Sequence, residues 1–353
     1  MESLATERTV RQQFAAETTY LNTASTGVLP RDAAEAVRTA LTEYSTGRPY
    51  IKEGFDAVEE SRALFARLVG VDVPRVAAGA SVAVYAGLLA TSLPAGAEVL
   101  VVDNDFSSLV NPFVVRADLK VRSVPLPELA DAVRPGTDLV AVSAVQSADG
   151  RIADLAAVRD AARAHGARTL IDASQAVGWL PLRADDFDYL VAVAYKWLLA
   201  PRGAAFLVTP EDRDHISPVF AGWVAGEVPW DSCYGPVTEL AHSARRFDES
   251  PCLLAYNAAR HSLALIDGLG PERIGAHNAA LADRFRAGLV ELGHQPIPAP
   301  GSAIVSVPGL DHLAERLADA EVFLSSRAGN LRASFHLYNT EAEVDRALAA
   351  LAG

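Results

Sequence analysis

A single lysine interrupts a long apolar segment in the second half of the chain. Lys196 stands in "LVAVAYKWLLAP", residues 190–201, between apolar and aromatic neighbours. An ammonium group buried without a partner is strongly unfavourable, so such an amine loses its proton or enters other chemistry. A neutral lysine amine is a nucleophile that forms imines with carbonyl groups. The alternative is a lysine that extends its charged end to solvent from the end of a strand.

A carboxylate precedes this lysine in a comparable position. Asp172 ends the apolar run of "TLIDASQAVGW", and Lys196 follows the apolar run 188–194. Ligands of open α/β sheets bind at the carboxyl ends of the strands, where both side chains are expected. There they could hold a pyridine ring, with the carboxylate keeping the ring nitrogen protonated and the lysine binding an aldehyde. The alternative for Asp172 is an N-cap of the next segment.

A glycine turn precedes an apolar helix in "VAAGASVAVYAGLLA", residues 76–90. The turn Gly79–Ser81 would present free backbone N–H groups and the positive end of the helix dipole, which suit a phosphate. The alternative is an ordinary serine N-cap at Ser81. The segment lacks the lysine of a P-loop, so a nucleoside triphosphate is not expected.

The elements that must position these residues alternate along the chain. Short apolar strands separated by helices predict an α/β fold with a mainly parallel sheet covered on both faces. The predicted strands are 97–103, 138–145, 167–173, 188–194 and 203–209. The predicted helices of this part are 32–45, 56–70 and 154–166.

Three parts of the chain are predicted from these patterns. Residues 1–19 form an N-terminal arm, 20–265 a large domain and 266–353 a smaller α+β C-terminal domain with short strands and a last helix. Proline punctuates residues 209–251, which predicts a loop-rich segment at a cleft.

Composition and charge exclude several classes of protein. The 353 residues are 50% hydrophobic and 21% charged, as in ordinary globular proteins. The net charge of -13 and the lack of a basic stripe argue against a nucleic-acid partner. Cys233 and Cys252 form no metal-type pair, so no metal site is expected, and the low cysteine count fits a reducing cytoplasm. No apolar run reaches the roughly 18 residues of a membrane span.

Three segments, in their order and spacing, resemble one family of enzymes. They are "DASQAVG", "AYKWLLAPRG" and "LRASFHLYNTEAEVD". The chain is similar through them to the class V aminotransferase family of fold-type I pyridoxal-phosphate (PLP) enzymes, which includes cysteine desulfurases, kynureninases and isopenicillin-N-epimerase-like proteins. The similarity runs from "YLNTAS" at Tyr20 to the C-terminus. It implies a three-layer PLP-binding large domain, PLP as cofactor and a homodimer with shared active sites.

The resemblance also implies roles around the cofactor ring. Lys196 would form the imine with PLP and, once released by substrate, act as general base at Cα. Asp172 would pair with the pyridine nitrogen, and Gln175 would hydrogen-bond the phenolate oxygen. Phe106 would stack on the ring face, for which the alternative is core packing. Ser147 lies where the family places an asparagine, so its contact with the ring substituents is left open.

Further residues would hold the phosphate and the substrate. The resemblance places Ala80, Ser81 and the Tyr195 hydroxyl around the phosphate, and Ser250 at the phosphate of the other protomer. Arg332 would clamp the substrate α-carboxylate, since a planar fork of donors fits a carboxylate at two points. Its alternative is an exposed strand arginine.

The substrate pocket and the reaction are less constrained. Trp223 would form a wall of the substrate pocket, unless it is a packing residue. Desulfurases carry a cysteine on a mobile loop before the carboxylate-binding arginine, and "EVFLSSRAGNLRAS" has none. Desulfuration through a persulfide is therefore not expected.

Several reactions of a small amino acid remain, because transamination, elimination across Cα–Cβ, racemisation and kynureninase-type cleavage share a carbanion at Cα. The expected activity is that of an aminotransferase. The alternatives are a β-eliminating carbon–sulfur lyase and a kynureninase-like hydrolase. A non-catalytic binding protein that keeps the fold is a further alternative, against which the complete lysine, aspartate, glutamine and arginine set argues.

Overall fold

The computed structural model describes residues 4–48 and 51–352. The strands are β1 (Thr19–Tyr20), β2 (Val76–Gly79), β3 (Glu98–Val102), β4 (Lys120–Val124), β5 (Thr137–Ser143), β6 (Arg168–Asp172), β7 (Tyr189–Val193), β8 (Ala205–Val208), β9 (Ile304–Pro308), β10 (Val322–Phe323), β11 (Ser325–Arg327) and β12 (Asn330–Ser334). The helices are α1 (Arg8–Gln13), α2 (Arg31–Ser45), α3 (Ile51–Val69), α4 (Val82–Ser92), α5 (Ser107–Val114), α6 (Leu155–His165), α7 (Leu253–Leu269), α8 (Pro271–Glu291), α9 (Ala314–Asp319) and α10 (Glu341–Ala352).

A seven-stranded mixed sheet forms the centre of the large domain, in the order β2-β8-β7-β6-β5-β3-β4. Strand β8 is antiparallel to both neighbours, and every other adjacent pair is parallel. The five predicted strands and the mainly parallel sheet are confirmed. Strands β2 and β4 were not predicted, because "VAAG" has low strand propensity and "KVRSV" is a half-exposed edge strand without a continuous apolar run.

Helices cover both faces of this sheet and produce three layers. Successive residues of β6 point to opposite faces. Leu170 belongs to the core shared with α4 and α5, and Ile171 belongs to the core shared with α3, α6 and α7. The central residues of β5, β6 and β7 are apolar because both faces of these strands are buried there.

The C-terminal part has its own smaller sheet and core. Strands β11, β12 and β9 form an antiparallel sheet that packs against α8 and α10, which agrees with the predicted α+β character. Helix α7 continues to Leu269, so the predicted boundary at residue 265 falls inside a helix.

The N-terminal segment packs against the rest of the molecule. Val10 of α1 is buried in the large core, and β1 pairs in parallel with β10. The predicted arm at residues 1–19 therefore includes ordered elements, while its residues 1–3 lie outside the described part.

The segment between β8 and α7 contains only short 3-10 turns, in agreement with the predicted loop-rich region. Within residues 4–48 and 51–352, no helix is long and apolar enough to cross a membrane. The same residues contain no group of histidine, cysteine and acidic side chains placed to hold a metal ion.

Candidate active site

The carboxyl ends of β5, β6 and β7 meet at one edge of the large sheet because the three strands are parallel neighbours. Asp172 is the last residue of β6, and Lys196 follows the end of β7 by three residues. A small cavity lies between them. It is lined by Phe106, Ser143, Ser147, Asp172, Ser174, Gln175 and Lys196.

Lys196 is buried and its amine is only weakly basic. Its exposed fraction is 5%, so the side chain does not extend to solvent. Its pKa falls from 10.5 to about 8, chiefly because of burial; the attraction of Asp172 opposes this shift, and repulsion by Arg332, Arg202 and Arg327 adds to it. Near neutral pH, both the protonated and the neutral amine are therefore accessible.

Asp172 supplies a buried negative charge near this lysine, in the lining of the same cavity. It is 4% exposed, and the backbone N–H of Ser174 donates to its Oδ1 at 2.9 Å. Burial raises the pKa of Asp172, which the bond from Ser174 and the charge of Lys196 oppose. The residues that follow form turns instead of a helix, so Asp172 is not a helix N-cap. Its carboxylate is left facing the cavity.

Gln175 links the two strand ends to the N-terminal segment. Its Oε1 accepts from Trp197 Nε1 at 2.7 Å. Its Nε2 donates to the Ala24 carbonyl at 3.0 Å and to Ser147 Oγ at 3.1 Å. Both amide protons are used in these two bonds, so Gln175 can donate to a cofactor oxygen only if one of the two bonds breaks.

Arg332 is a buried guanidinium with neutral partners. It lies in β12 with an exposed fraction of 1%, which excludes the exposed strand arginine. It donates to Ser325 Oγ at 3.2 Å, to the carbonyl and Oγ of Ser147, and to Ser25 Oγ at 2.8 Å. Burial, assisted by the charge of Arg327, lowers its pKa to about 9. Within the described chain, none of its hydrogen-bond acceptors carries a charge that would compensate it.

Two aromatic rings border the lysine amine. Nζ of Lys196 lies 5.0 Å from the ring centroid of Phe106 and 5.7 Å from that of Tyr195. Phe106 is 41% exposed and is therefore not a core residue. The Arg202 guanidinium lies over the other ring, 3.9 Å from the Tyr195 centroid.

The N-terminus of α4 holds a carboxylate. The N–H of Ala80 donates to Glu249 Oε1 at 2.6 Å, and Ser81 Oγ accepts from the Val84 N–H at 3.3 Å as an N-cap. This helix end therefore binds an anionic oxygen, as free N–H groups and the helix dipole favour. A phosphate bound at Ala80 would displace Glu249.

Of the predicted site residues, Phe106, Ser147, Asp172, Gln175 and Lys196 line this cavity, whereas Trp223 and Ser250 are among those that do not. Trp223 packs against Trp230 and Phe55, with ring centroids 5.0 and 5.5 Å apart, in a separate cavity of about 810 Å³. Ser250 is exposed and does not line the Lys196 cavity. Their assignment to the other protomer's site stays a prediction.

Sequence reasoning missed several contributors to the site, among them Ser25, Ser143, Glu249 and Arg327. Ser143 lines the cavity, Ser25 and Arg327 lie beside Arg332, and Glu249 occupies the α4 N-terminus. Two signals were available, because Ser25 belongs to the segment "YLNTAS" and Arg327 precedes Arg332 by five residues. The sequence held no comparable signal for Glu249.

Most of the chain matches a single protein-family profile. The profile described as "Aminotransferase class-V" matches residues 19–347. The isopenicillin N epimerase of Streptomyces clavuligerus is 30% identical over 94% of this chain and 94% of its own length. The "Uncharacterized aminotransferase YcbU" of Bacillus subtilis (strain 168) is 27% identical over 89% and 90%. A kynureninase of Stenotrophomonas maltophilia (strain K279a) is 35% identical over 43% of this chain and 38% of its own.

Solved structures share the same fold. The cystine C–S lyase C-DES, in complex with its product cysteine persulfide, superposes with a TM-score of 0.86. The superposition covers 96% of this chain and 98% of that chain at 24% identity. At this level of identity the likeness concerns the fold and leaves the reaction open.

Proposed function

The chain belongs to the class V aminotransferase family of PLP-dependent enzymes, and from this we propose that it is an aminotransferase acting on the α-amino group of an amino acid. Its fold is PLP fold type I, and the family context is that of a transaminase or lyase. The observation that supports amino-acid chemistry best is the buried, uncompensated guanidinium of Arg332 near the amine of Lys196.

The residues around the cavity fit PLP by their chemistry. An amine at Lys196 suits the aldehyde, a buried carboxylate at Asp172 suits the ring nitrogen, and the exposed face of Phe106 suits an aromatic ring. The N–H of Ala80 already binds an anionic oxygen. When bound, PLP supplies an electron sink that stabilises negative charge at the substrate Cα.

Lys196 is the proposed proton carrier at Cα. A general base is most effective when its pKa lies near the working pH, and burial lowers the pKa of this lysine to about 8. Its Nζ can therefore take a proton from the substrate Cα and return it. The cavity walls restrict water at this amine, since the side chain is 5% exposed.

Asp172 would hold the cofactor ring, and Arg332 would hold the substrate. Asp172 is the group that would keep a proton on the pyridine nitrogen, because its carboxylate is buried and faces the lysine. Arg332 would orient the substrate by holding its α-carboxylate. Its guanidinium is planar and held at three positions by serine side chains, so its direction is set before substrate arrives.

The remaining cofactor contacts belong to the same proposal. Gln175 and Ser147 would face the ring oxygen, and both line the cavity. Ser81 and Tyr195 would join Ala80 at the phosphate after Glu249 has moved away.

We propose a homodimer on related grounds. Trp223 and Ser250 lie in the loop-rich segment, outside the Lys196 cavity of their own protomer. In a dimer, Ser250 would contact the phosphate of the other protomer, and Trp223 would border its substrate pocket.

The test is a product analysis of the PLP-loaded protein with a panel of amino acids. An aminotransferase yields pyridoxamine phosphate and one keto acid per site, without ammonia, until a second keto acid is added. Ammonia and keto acid that accumulate together while PLP is retained would instead identify a β-eliminating lyase. Hydrolysis of kynurenine to 2-aminobenzoate and alanine would identify a kynureninase-like hydrolase.

The variant Lys196→Ala tests the central residue of the proposal. We expect turnover to fall by at least about a thousandfold, because the proton carrier at Cα is lost. Lys120→Ala, on the exposed edge strand β4, is the matched control and should keep full activity. If the unmodified protein keeps PLP but converts no amino acid, it is a non-catalytic binding protein.

A further inference from the structure

A second arginine is held next to Arg332 by a tight hairpin. Arg327 ends β11 and pairs across the ladder with Asn330, so only Ala328 and Gly329 connect β11 to β12. Both connecting residues have positive φ, 49° and 76°, as a type I′ turn requires. A two-residue turn leaves no slack, so the position of Arg327 relative to Arg332 is set by the ladder.

The two arginines meet at one neutral oxygen. Nη2 of Arg332 donates to Ser25 Oγ at 2.8 Å, and Nη2 of Arg327 donates to the same atom at 3.1 Å. The two nitrogens are therefore no farther apart than these two distances together. Arg327 also donates to the carbonyl of Ser326. Within the described chain, neither guanidinium has a carboxylate among its hydrogen-bond partners.

The two arginines differ in burial, so one ligand could contact the buried Arg332 and the exposed Arg327 together. Arg332 is 1% exposed at the base of the site, whereas Arg327 is exposed. A ligand that reaches Arg332 with one carboxylate passes Arg327 on its outer side. Among the described residues, the Arg327 guanidinium donates only to the Ser326 carbonyl and Ser25 Oγ, which leaves some of its N–H donors unused.

The charge around the site contrasts with that of the whole chain. The net charge is -13, yet Arg202, Arg327 and Arg332 all act on Lys196 as neighbouring positive charges. Like charges held this close repel one another unless an anion lies between them. A local excess of positive charge of this kind attracts ligands that carry more than one negative charge.

We propose that Arg327 binds a second carboxylate, so that the substrates are acidic amino acids and the corresponding dicarboxylic keto acids. This inference rests on the proposed function, because it assigns the α-carboxylate to Arg332 and the side-chain carboxylate to Arg327. An acidic amino acid carries its carboxylates a few carbon atoms apart. That spacing matches two guanidiniums that share a single hydrogen-bond acceptor.

Calorimetric binding to the PLP-loaded protein tests this assignment without turnover. The probes are glutarate, which has two carboxylates, and butyrate, which has one. We expect Arg327→Gln to weaken glutarate binding by about ten- to hundredfold, the usual effect of losing a charged hydrogen bond, and to change butyrate binding by less than about twofold. Arg327→Lys should restore part of the glutarate affinity, and Arg38→Gln on the exposed face of α2 is the matched control.

The outcomes separate this inference from the proposed function. If Arg327→Gln leaves glutarate binding unchanged, or weakens butyrate as much as glutarate, the second carboxylate site is wrong. If the preference for glutarate depends on Arg327 but the protein transfers no amino group, the proposed reaction fails and the binding site stands. With acidic amino acids as substrates, Arg327→Gln should raise KM while kcat stays close to that of the unmodified protein.

Discussion

Arg62 and Arg332 are both buried, with exposed fractions of 3% and 1%, but their surroundings differ. Arg62 makes a two-point contact with Asp248 at 2.6 and 3.2 Å and also bonds to Glu59 and the carbonyl of Val76. Although burial alone would lower it, the Asp248 carboxylate raises the pKa of Arg62. Arg332 has serines and a carbonyl as its acceptors, and its pKa falls to about 9.

The difference separates a structural charge from a charge that we propose binds a ligand. The Arg62–Asp248 pair joins α3 to β2 and to the segment before α7, and Asp248 also accepts from the Ala78 N–H at 2.7 Å. The hydrogen bonds of both Arg62 and Asp248 are therefore made to groups of the protein itself. Arg332 is held in direction by serines, and no carboxylate in the described part of the chain neutralises it, which fits its proposed role of binding a substrate carboxylate.

The largest expected effect is on the structural pair. Arg62→Met leaves the Asp248 carboxylate buried without its cation, and we expect the free energy of unfolding to fall by about 3–5 kcal/mol. Urea denaturation followed by circular dichroism measures the change. Adding Asp248→Asn to this variant should recover part of the loss, because the uncompensated charge is removed. A loss below about 1 kcal/mol would contradict the structural assignment.

Arg332→Met should separate binding from stability. We expect the free energy of unfolding to stay the same or rise, since an uncompensated buried charge is removed. The affinity for butyrate and glutarate should both fall by about ten- to hundredfold. Denaturation and calorimetry of the same preparation measure the two quantities. A loss of stability as large as that of Arg62→Met would show that the two arginines do not differ in the way described.

The smallest effect concerns the pH dependence of the apoprotein. The pKa of Lys196 is about 8 in the folded chain and 10.5 ordinarily. Between these values the unfolded chain binds more protons at this residue, so its contribution to stability rises with pH. Below about pH 8 the amine is charged in both states, and the cost of burying it is complete.

Lys196→Met removes this cost. At pH 7 we expect the variant to be more stable than the unmodified apoprotein, by about 2 kcal/mol after allowance for the lost attraction of Asp172. The advantage should shrink as pH rises toward 10.5. Denaturation midpoints across this range measure it, and an advantage that does not change with pH would argue against a lowered pKa.

Much of the fold was predictable from local patterns. The apolar runs identified β3, β5, β6, β7 and β8, because strands buried on both faces need apolar residues throughout. Patterns of this kind do not extend to β2 and β4. Short alanine- and glycine-rich or half-exposed strands form through pairing with their neighbours, and β2 pairs with a strand about 130 residues later in the chain.

The site divides in the same way. The sequence shows the order and spacing of the segments that contain Asp172, Gln175, Lys196 and Arg332. The burial of Asp172, Lys196 and Arg332 follows from their apolar neighbours. Ser25 and Arg327 lie in or near the segments that carry the resemblance, but their roles were not predicted, and Glu249 carries no local signal. Their place depends on how distant segments meet.

Local sequence therefore predicted five strands of the large sheet, helix α4 and the residue types at the strand ends, since these depend on periodicity and side-chain chemistry over a few residues. Folding established which charges are compensated. Arg62 bonds to Asp248 across 186 residues, whereas Arg332 bonds to Ser25 across 307 and has no carboxylate partner among residues 4–48 and 51–352. The energy of a buried charge depends on the few groups within reach of it, and those groups are assembled only when distant segments pack together.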